Sequence, residues 1–168
     1  KQAEDIYRSI LSEDPEYPDA LHLLGIVLYQ KGDTLTAMDY VERALQQSGN
    51  FSFDGFHNTL GLCYRTLGRL QDAKQQFEIA LSLSPDLLSA QFNLGLIYQQ
   101  LGQYEEAIVL FRNVTEFYPT VVPVTLHEDN VLECKVRECD SLHVIHKYEE
   151  SLQCWKDGIK MFPNASVF

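Results

Sequence analysis

The side chains best placed to do chemistry are Cys134, Cys139, His143 and His146, with His127 a little upstream. On a helix, Cys139, His143 and His146 lie four and three residues apart, so they share one face and could converge on a metal ion. Zinc, however, usually draws its ligands from two elements, because four donors must surround the ion and a single helix presents them along one line. No metal is therefore expected. The chain contains no glycine-rich phosphate loop, no Gly-x-Ser-x-Gly elbow and no His-Glu-x-x-His. Tyrosines and glutamates abound but carry no spacing of their own. The residues point away from catalysis within this segment and call for no cofactor.

What the residues do carry is a period. Leu60-Gly61-x-x-Tyr64, Gly68, Ala73, Phe77, Ala80 and Pro85 return 34 residues later as Leu94-Gly95-x-x-Tyr98, Gly102, Ala107, Phe111, Val114 and Pro119. An earlier copy runs Leu24-Gly25-x-x-Leu28, Gly32, Ala37, Val41 and Ala44. Gly61 and Gly95 fall in mid-helix, where glycine costs roughly 1 kcal/mol against alanine. That cost is sensible only where a neighbouring helix must come very close. Tyr64 and Tyr98 fill the space one turn further along. Ala73, Phe77 and Ala80, like Ala107, Phe111 and Val114, form the buried stripe of a second helix. Pro85 and Pro119 stop it. These residues are expected to be core. The pattern predicts helices at about 1–13, 18–31, 34–47, 54–67, 70–83, 88–101, 104–117, 129–145 and 148–161.

The frame reaches both ends. Ala3, Tyr7, Ile10 and Pro15 fit a second helix without its first; Tyr148, Ser151, Trp155, Gly158 and Pro163 fit a fourth second helix, and residues 164–168 look like the start of another first helix. Both ends therefore read as cuts through a longer array. Two departures interrupt the rhythm. Gly25 to Gly61 spans 36 residues, which places two extra residues in 48–53. After Pro119, the β-branched and proline-containing run Thr120 to Thr125 is poor helix material, and a non-helical, valine-rich excursion is expected there. The helix beyond it shows an apolar stripe at Leu132, Val136, Cys139 and Leu142, whereas the repeat frame would put Lys135 and Glu138 at apolar positions.

Composition narrows the class further. Twenty-four acidic against 13 basic residues give a net charge of −11, which argues against a phosphate-binding surface and tilts toward a neutral or basic partner. No apolar run approaches the roughly 18 residues of a membrane span. Neither a nucleic acid nor a membrane is an expected partner. Cys63, Cys134, Cys139 and Cys154 are expected to be reduced thiols in a cytoplasmic or nuclear protein.

The 34-residue phrase resembles that of the tetratricopeptide repeat (TPR) family. The resemblance implies an all-α fold: a right-handed superhelical solenoid of antiparallel helix pairs, about four units with an irregular insertion before the last. The units would be a second helix at 1–17, then 18–53, 54–87 and 88–119, an irregular insertion at 120–131, and a degenerate unit with the start of another at 132–168. In this family the first helices line a concave groove through positions two, five, nine, twelve and thirteen of each unit. Carried onto this chain, these are Asp19, His22, Ile26, Tyr29 and Gln30, then Gly55, Asn58, Leu62, Arg65 and Thr66, then Ser89, Phe92, Leu96, Gln99 and Gln100. The implied partner-binding groove centres on His22, Ile26, Tyr29, Asn58, Leu62, Arg65, Phe92, Leu96 and Gln99. Such an apolar stripe with amide and aromatic edges suits an extended peptide or a partner helix. Arg65 alone supplies a fixed cation there, so a clamp for two carboxylates is not expected. Phe92-Asn93-Leu94-Gly95 is similar to a phrase in the arrays of O-linked N-acetylglucosamine transferases. The expected function is a protein-interaction scaffold, fit to be a subunit of a larger complex. The alternative is a substrate-recruiting arm of a transferase-type enzyme whose catalytic domain lies outside the segment.

Overall fold

Short turns and mid-helix contacts dictate the architecture. A computed structural model describes residues 2–49, 53–117, 128–163 and 165, all helical or in turns and short connections. Contacts divide the chain into two compact units, Lys1–Pro85 and Asp86–Phe168. The first holds α1 (Gln2–Glu13), α2 (Pro18–Gln30), α3 (Thr34–Gln47), α4 (Asp54–Thr66) and α5 (Leu70–Leu83). The second holds α6 (Leu88–Gln100), α7 (Tyr104–Phe117), α8 (Glu128–Val144) and α9 (Tyr148–Met161). Every predicted helix is found, with bounds within one residue of the expectation. Residues 128–131, placed in the irregular insertion, belong to α8. The valine-rich stretch to residue 127 and the further helix expected from residue 164 lie outside the described residues, as does His127.

In the first unit α2 pairs with α3 and α4 with α5, while α1 packs on α2 and α3 on α4. Gly61 explains the closeness. A Cβ there would stand 2.7 Å from Cε1 of Phe77, a ring with no exposed surface. Gly25 likewise faces Cγ2 of Val41 at 2.7 Å. In the second unit α6 pairs with α7 and α8 with α9, and a Cβ on Gly95 would meet Cε1 of Phe111 at 2.6 Å. Each pair turns through one left-handed residue. At Gly102 φ is +75°, its N–H reaches Gln99 O at 3.0 Å, and Gln103 N–H reaches Tyr98 O at 2.8 Å. In the α8–α9 turn the same position is His146, at φ +62°, with the same two bonds to His143 O and Leu142 O.

The fourth pair keeps the repeat frame and fully buries only half of its own apolar stripe, Cys139 and Leu142. Val131, Cys134, Glu138, Cys139, Ser141 and Leu142 are buried, while Leu132 and Val136 are only half-buried. Glu138, 2% exposed, takes the slot that Leu24, Leu60 and Leu94 fill elsewhere. A buried carboxylate is costly unless paired. Here Arg112 Nε of α7 donates to it at 3.0 Å and Lys135 Nζ at 2.9 Å. The expectation of four reduced thiols is also corrected. Cys139 and Cys154 form a disulfide between α8 and α9, and Cys63 and Cys134 are free and buried. A cysteine in the glycine slot brings its sulfur against the facing helix, a contact that the sequence separation of 15 did not advertise.

Two outcomes follow for denaturant unfolding. Gly95→Ala should destabilise by about 1–3 kcal/mol through overpacking against Phe111, despite alanine's better helix propensity. Gly55→Ala, whose Cβ would meet only the His22 ring at 3.5 Å, should be neutral or stabilising. Glu138→Gln should cost about 1–3 kcal/mol by leaving Lys135 without its carboxylate. Glu138→Leu combined with Lys135→Leu, the residues found at Leu24 and Leu21 of the first pair, should recover that loss.

Candidate protein-binding surface

Spacings of four and three put His22, Ile26 and Tyr29 on one face of α2, and Asn58, Leu62 and Arg65 on one face of α4. All six are half-buried. Two hydrogen bonds tie the helices together along this face. His22 Nε2 lies 2.9 Å from Thr59 Oγ1, and Tyr29 OH lies 3.1 Å from Thr66 Oγ1. The hydroxyl hydrogen of Thr59 points at Gly55 O, 2.9 Å away, which makes His22 Nε2 the donor. Burial holds the His22 imidazole below its ordinary pKa, against the opposing pull of a backbone hydrogen bond at Gly55 and of Asp19. The ring is thus neutral at neutral pH, and it lies 4.4 Å from the Phe56 ring between centroids. Beside these ties sits Asn58, whose buried Oδ1 has no hydrogen-bond partner among the described residues.

The second unit treats its groove residues differently. Phe92 and Leu96, expected to stand apart from the core, pack against the cluster of Leu88, Ala107, Phe111, Val114, Val131 and Cys134. The Phe92 and Phe111 centroids are 6.4 Å apart. The physical reason is that these side chains on α6 are long enough to reach the cluster that α7 and α8 form beside them. Gln99 Nε2 donates to Ser141 Oγ at 2.7 Å and to Arg137 O at 3.1 Å, tying α6 to α8 as His22 and Tyr29 tie α2 to α4. A cavity of about 380 Å³ opens at this end, lined by Leu96, Gln99, Gln100, Tyr104, Arg137 and Asp140. Thr59, Ser141, Arg137 and Asp140 were not anticipated. Thr59 and Thr66 repeat the seven-residue spacing of His22 and Tyr29, the one signal that could have revealed the pairing.

A second concavity, of about 500 Å³, lies between α7, α8 and α9 and includes Arg112, Lys135, Glu138, Leu142 and Cys154. The cysteine–histidine group does not assemble. Cys139 is bonded to Cys154, His146 Nδ1 is 2.6 Å from Tyr148 OH, and the His143 ring lies edge-on to the Tyr148 ring. Among the described residues no three of His, Cys, Asp and Glu are disposed to hold a metal ion. No helix among them is long and apolar enough to cross a membrane.

Known proteins carry the same signature. One tetratricopeptide repeat family model matches residues 1–52 and another matches residues 56–120. The human cell division cycle protein 16 homolog is 30% identical over 118 residues, which is 66% of this chain and 19% of the relative. The chain thus spans about a fifth of the length of that relative. Among solved structures, MamA superimposes with a TM-score of 0.78 at 16% identity, covering 94% of this chain and 85% of MamA. YrrB, a TPR protein with an unusual peptide-binding site, superimposes with a TM-score of 0.75 at 21% identity, covering 97% of this chain and 78% of YrrB. Two matched models that leave few residues before Thr120 uncovered, and helix pairs locked at Gly25, Gly61 and Gly95, lead to one conclusion: the chain belongs to the tetratricopeptide repeat family.

Proposed function

We propose that this chain is a protein-interaction scaffold whose α2–α4 face binds an extended peptide or a helix of a partner protein. The observation that carries the reading is Asn58 Oδ1, a buried acceptor without a partner among the described residues, set beside half-buried Ile26 and Leu62. Leaving a buried acceptor unpaired costs about 1–3 kcal/mol. Turning the half-buried Asn58 side chain outward would offer this acceptor to a backbone N–H of an extended ligand, while Ile26 and Leu62 receive apolar side chains. The polar neighbours His22 and Tyr29 are engaged with Thr59 and Thr66, so they shape the face and leave Asn58 to read the ligand. With a net charge of −11, the chain attracts basic ligands at long range, repels acidic ones and leaves neutral ones unopposed. The peptide-binding site of YrrB supports the reading by analogy of fold.

The test is a displayed random-peptide library selected on the immobilised chain, followed by anisotropy titration of a selected peptide. Leu62→Glu should weaken binding about tenfold or more, the equivalent of losing one buried leucine contact. Asn58→Ala should weaken it about fivefold, and both variants should retain the helical circular dichroism of the parent. Binding indifferent to both substitutions would sink the assignment to this face. Leu96→Glu, in contrast, should lower the melting temperature, because Leu96 packs against the Phe111 cluster.

A further inference from the structure

Three of the four helix pairs close by setting a second-helix side chain on the bare backbone of a first-helix glycine: Val41 on Gly25, Phe77 on Gly61 and Phe111 on Gly95. Cys139 occupies that glycine slot in α8, and Trp155 stands sixteen residues on, the offset from Gly61 to Phe77. The lock cannot form there. A Cβ in this slot comes within 2.7 Å of the ring at Phe77 and 2.6 Å at Phe111, and Cys139 carries a Cβ. Trp155 is accordingly only half-buried, whereas Phe77 and Phe111 expose nothing. The preceding residue, Cys154, turns inward to 5% exposure and bonds to Cys139. A covalent bond stands where the other pairs use packing.

We propose that the Cys139–Cys154 disulfide is a two-electron latch that holds α9 against α8, so that thiol reduction releases α9 while the glycine-locked pairs stay closed. Cys154 lines the cavity of about 500 Å³ between α7, α8 and α9, which gives a dithiol reductant its approach. A reductant thiolate attacks Cys154 Sγ; the Cys139–Cys154 bond breaks, and Cys139 leaves as a thiolate and takes up a proton. The reductant's second thiolate then attacks the mixed disulfide. Cys154 departs and is protonated, and the reductant is left oxidised as its own disulfide. Two electrons and two protons pass to the protein. With the bond gone, α9 is held at the centre of the pair by Ser151 Oγ to Cys139 O, at 3.0 Å, and by the half-buried Trp155 packed on the small cluster of Ile108, Leu142 and the two thiols, with no ring seated on a bare glycine. Because α9 forms one wall of the cavity, the cavity exists in the oxidised protein alone.

Hydrogen exchange of the protein purified without reductant, before and after dithiothreitol, tests this. Reduction should speed exchange across 148–161 on the order of 100-fold, the loss expected from opening a loop of this length. Exchange in 34–47 and 70–83 should not change. Cys154→Ser should show the fast exchange without reductant and no further response to it. Cys139→Gly with Trp155→Phe, which rebuilds the packing lock, should keep α9 protected under both conditions. Free thiols at all four cysteines in the untreated protein, or exchange in 148–161 indifferent to reduction, would overturn the proposal. So would a Cys139→Gly, Trp155→Phe protein as labile as Cys154→Ser.

Discussion

Everything in this chain depends on how near one helix may come to the middle of its partner. At Gly61 and Gly95 the ring of Phe77 or Phe111 rests where a side chain would otherwise begin, and at Gly25 a valine methyl does the same. Interiors packed at crystal-like density leave no slack around such a contact. Touching at mid-length fixes the spacing of the pair, and the spacing fixes the turn. A single left-handed residue then suffices to reverse the chain, and the small residues Ala37, Ala73 and Ala107, all without exposed surface, follow as the next point of contact.

This dependence explains what could be read in advance. Helix bounds were legible because glycine, alanine, aromatic and proline recur at a fixed interval, each for a separate steric reason. The orientation of α8 was not legible from its apolar residues. Leu132 and Val136 advertise a face that the fold turns half outward, while Glu138 goes in. A hydrophobic stripe reports where a helix would prefer to be buried in isolation; the neighbours already in place decide the outcome. Cys139 and His146, at the slots of the packing glycine and the turn glycine, carried the better signal. Which residues share a helix face was legible from their spacing, and the environments of those residues were not. Spacing locates Phe92 and Leu96 on the face but says nothing of side-chain reach, and both fold back onto the core.

Charge is used sparingly and in a repeated form. Glu138 of α8 is held by Lys135 on its own helix and Arg112 on α7. Glu4 of α1 is held by Lys31 just beyond α2 and by Arg8 on its own helix, and the hydrogen bonds from Lys31 first and Arg8 second keep its carboxyl down at about 2. In both places one carboxylate takes two cations from two different elements. The ion groups therefore act as joints between helices rather than as contributions to a single helix, and they sit where the glycine lock does not reach.

The two ties between α2 and α4 have a geometric consequence of their own. His22 to Thr59 and Tyr29 to Thr66 are each separated by seven residues on both helices, roughly 10 Å along the axis. One such tie would act as a pivot; two make a parallel-jaw gauge, in which neither sliding nor rotation of one helix can occur without breaking at least one of them. The jaw opening is set by one imidazole and one phenol meeting two hydroxyls. Exchanging serine for threonine would preserve the setting, and valine, of nearly the same shape, would erase it. The spacing of α2 and α4 along this face is thereby encoded in two hydroxyl groups.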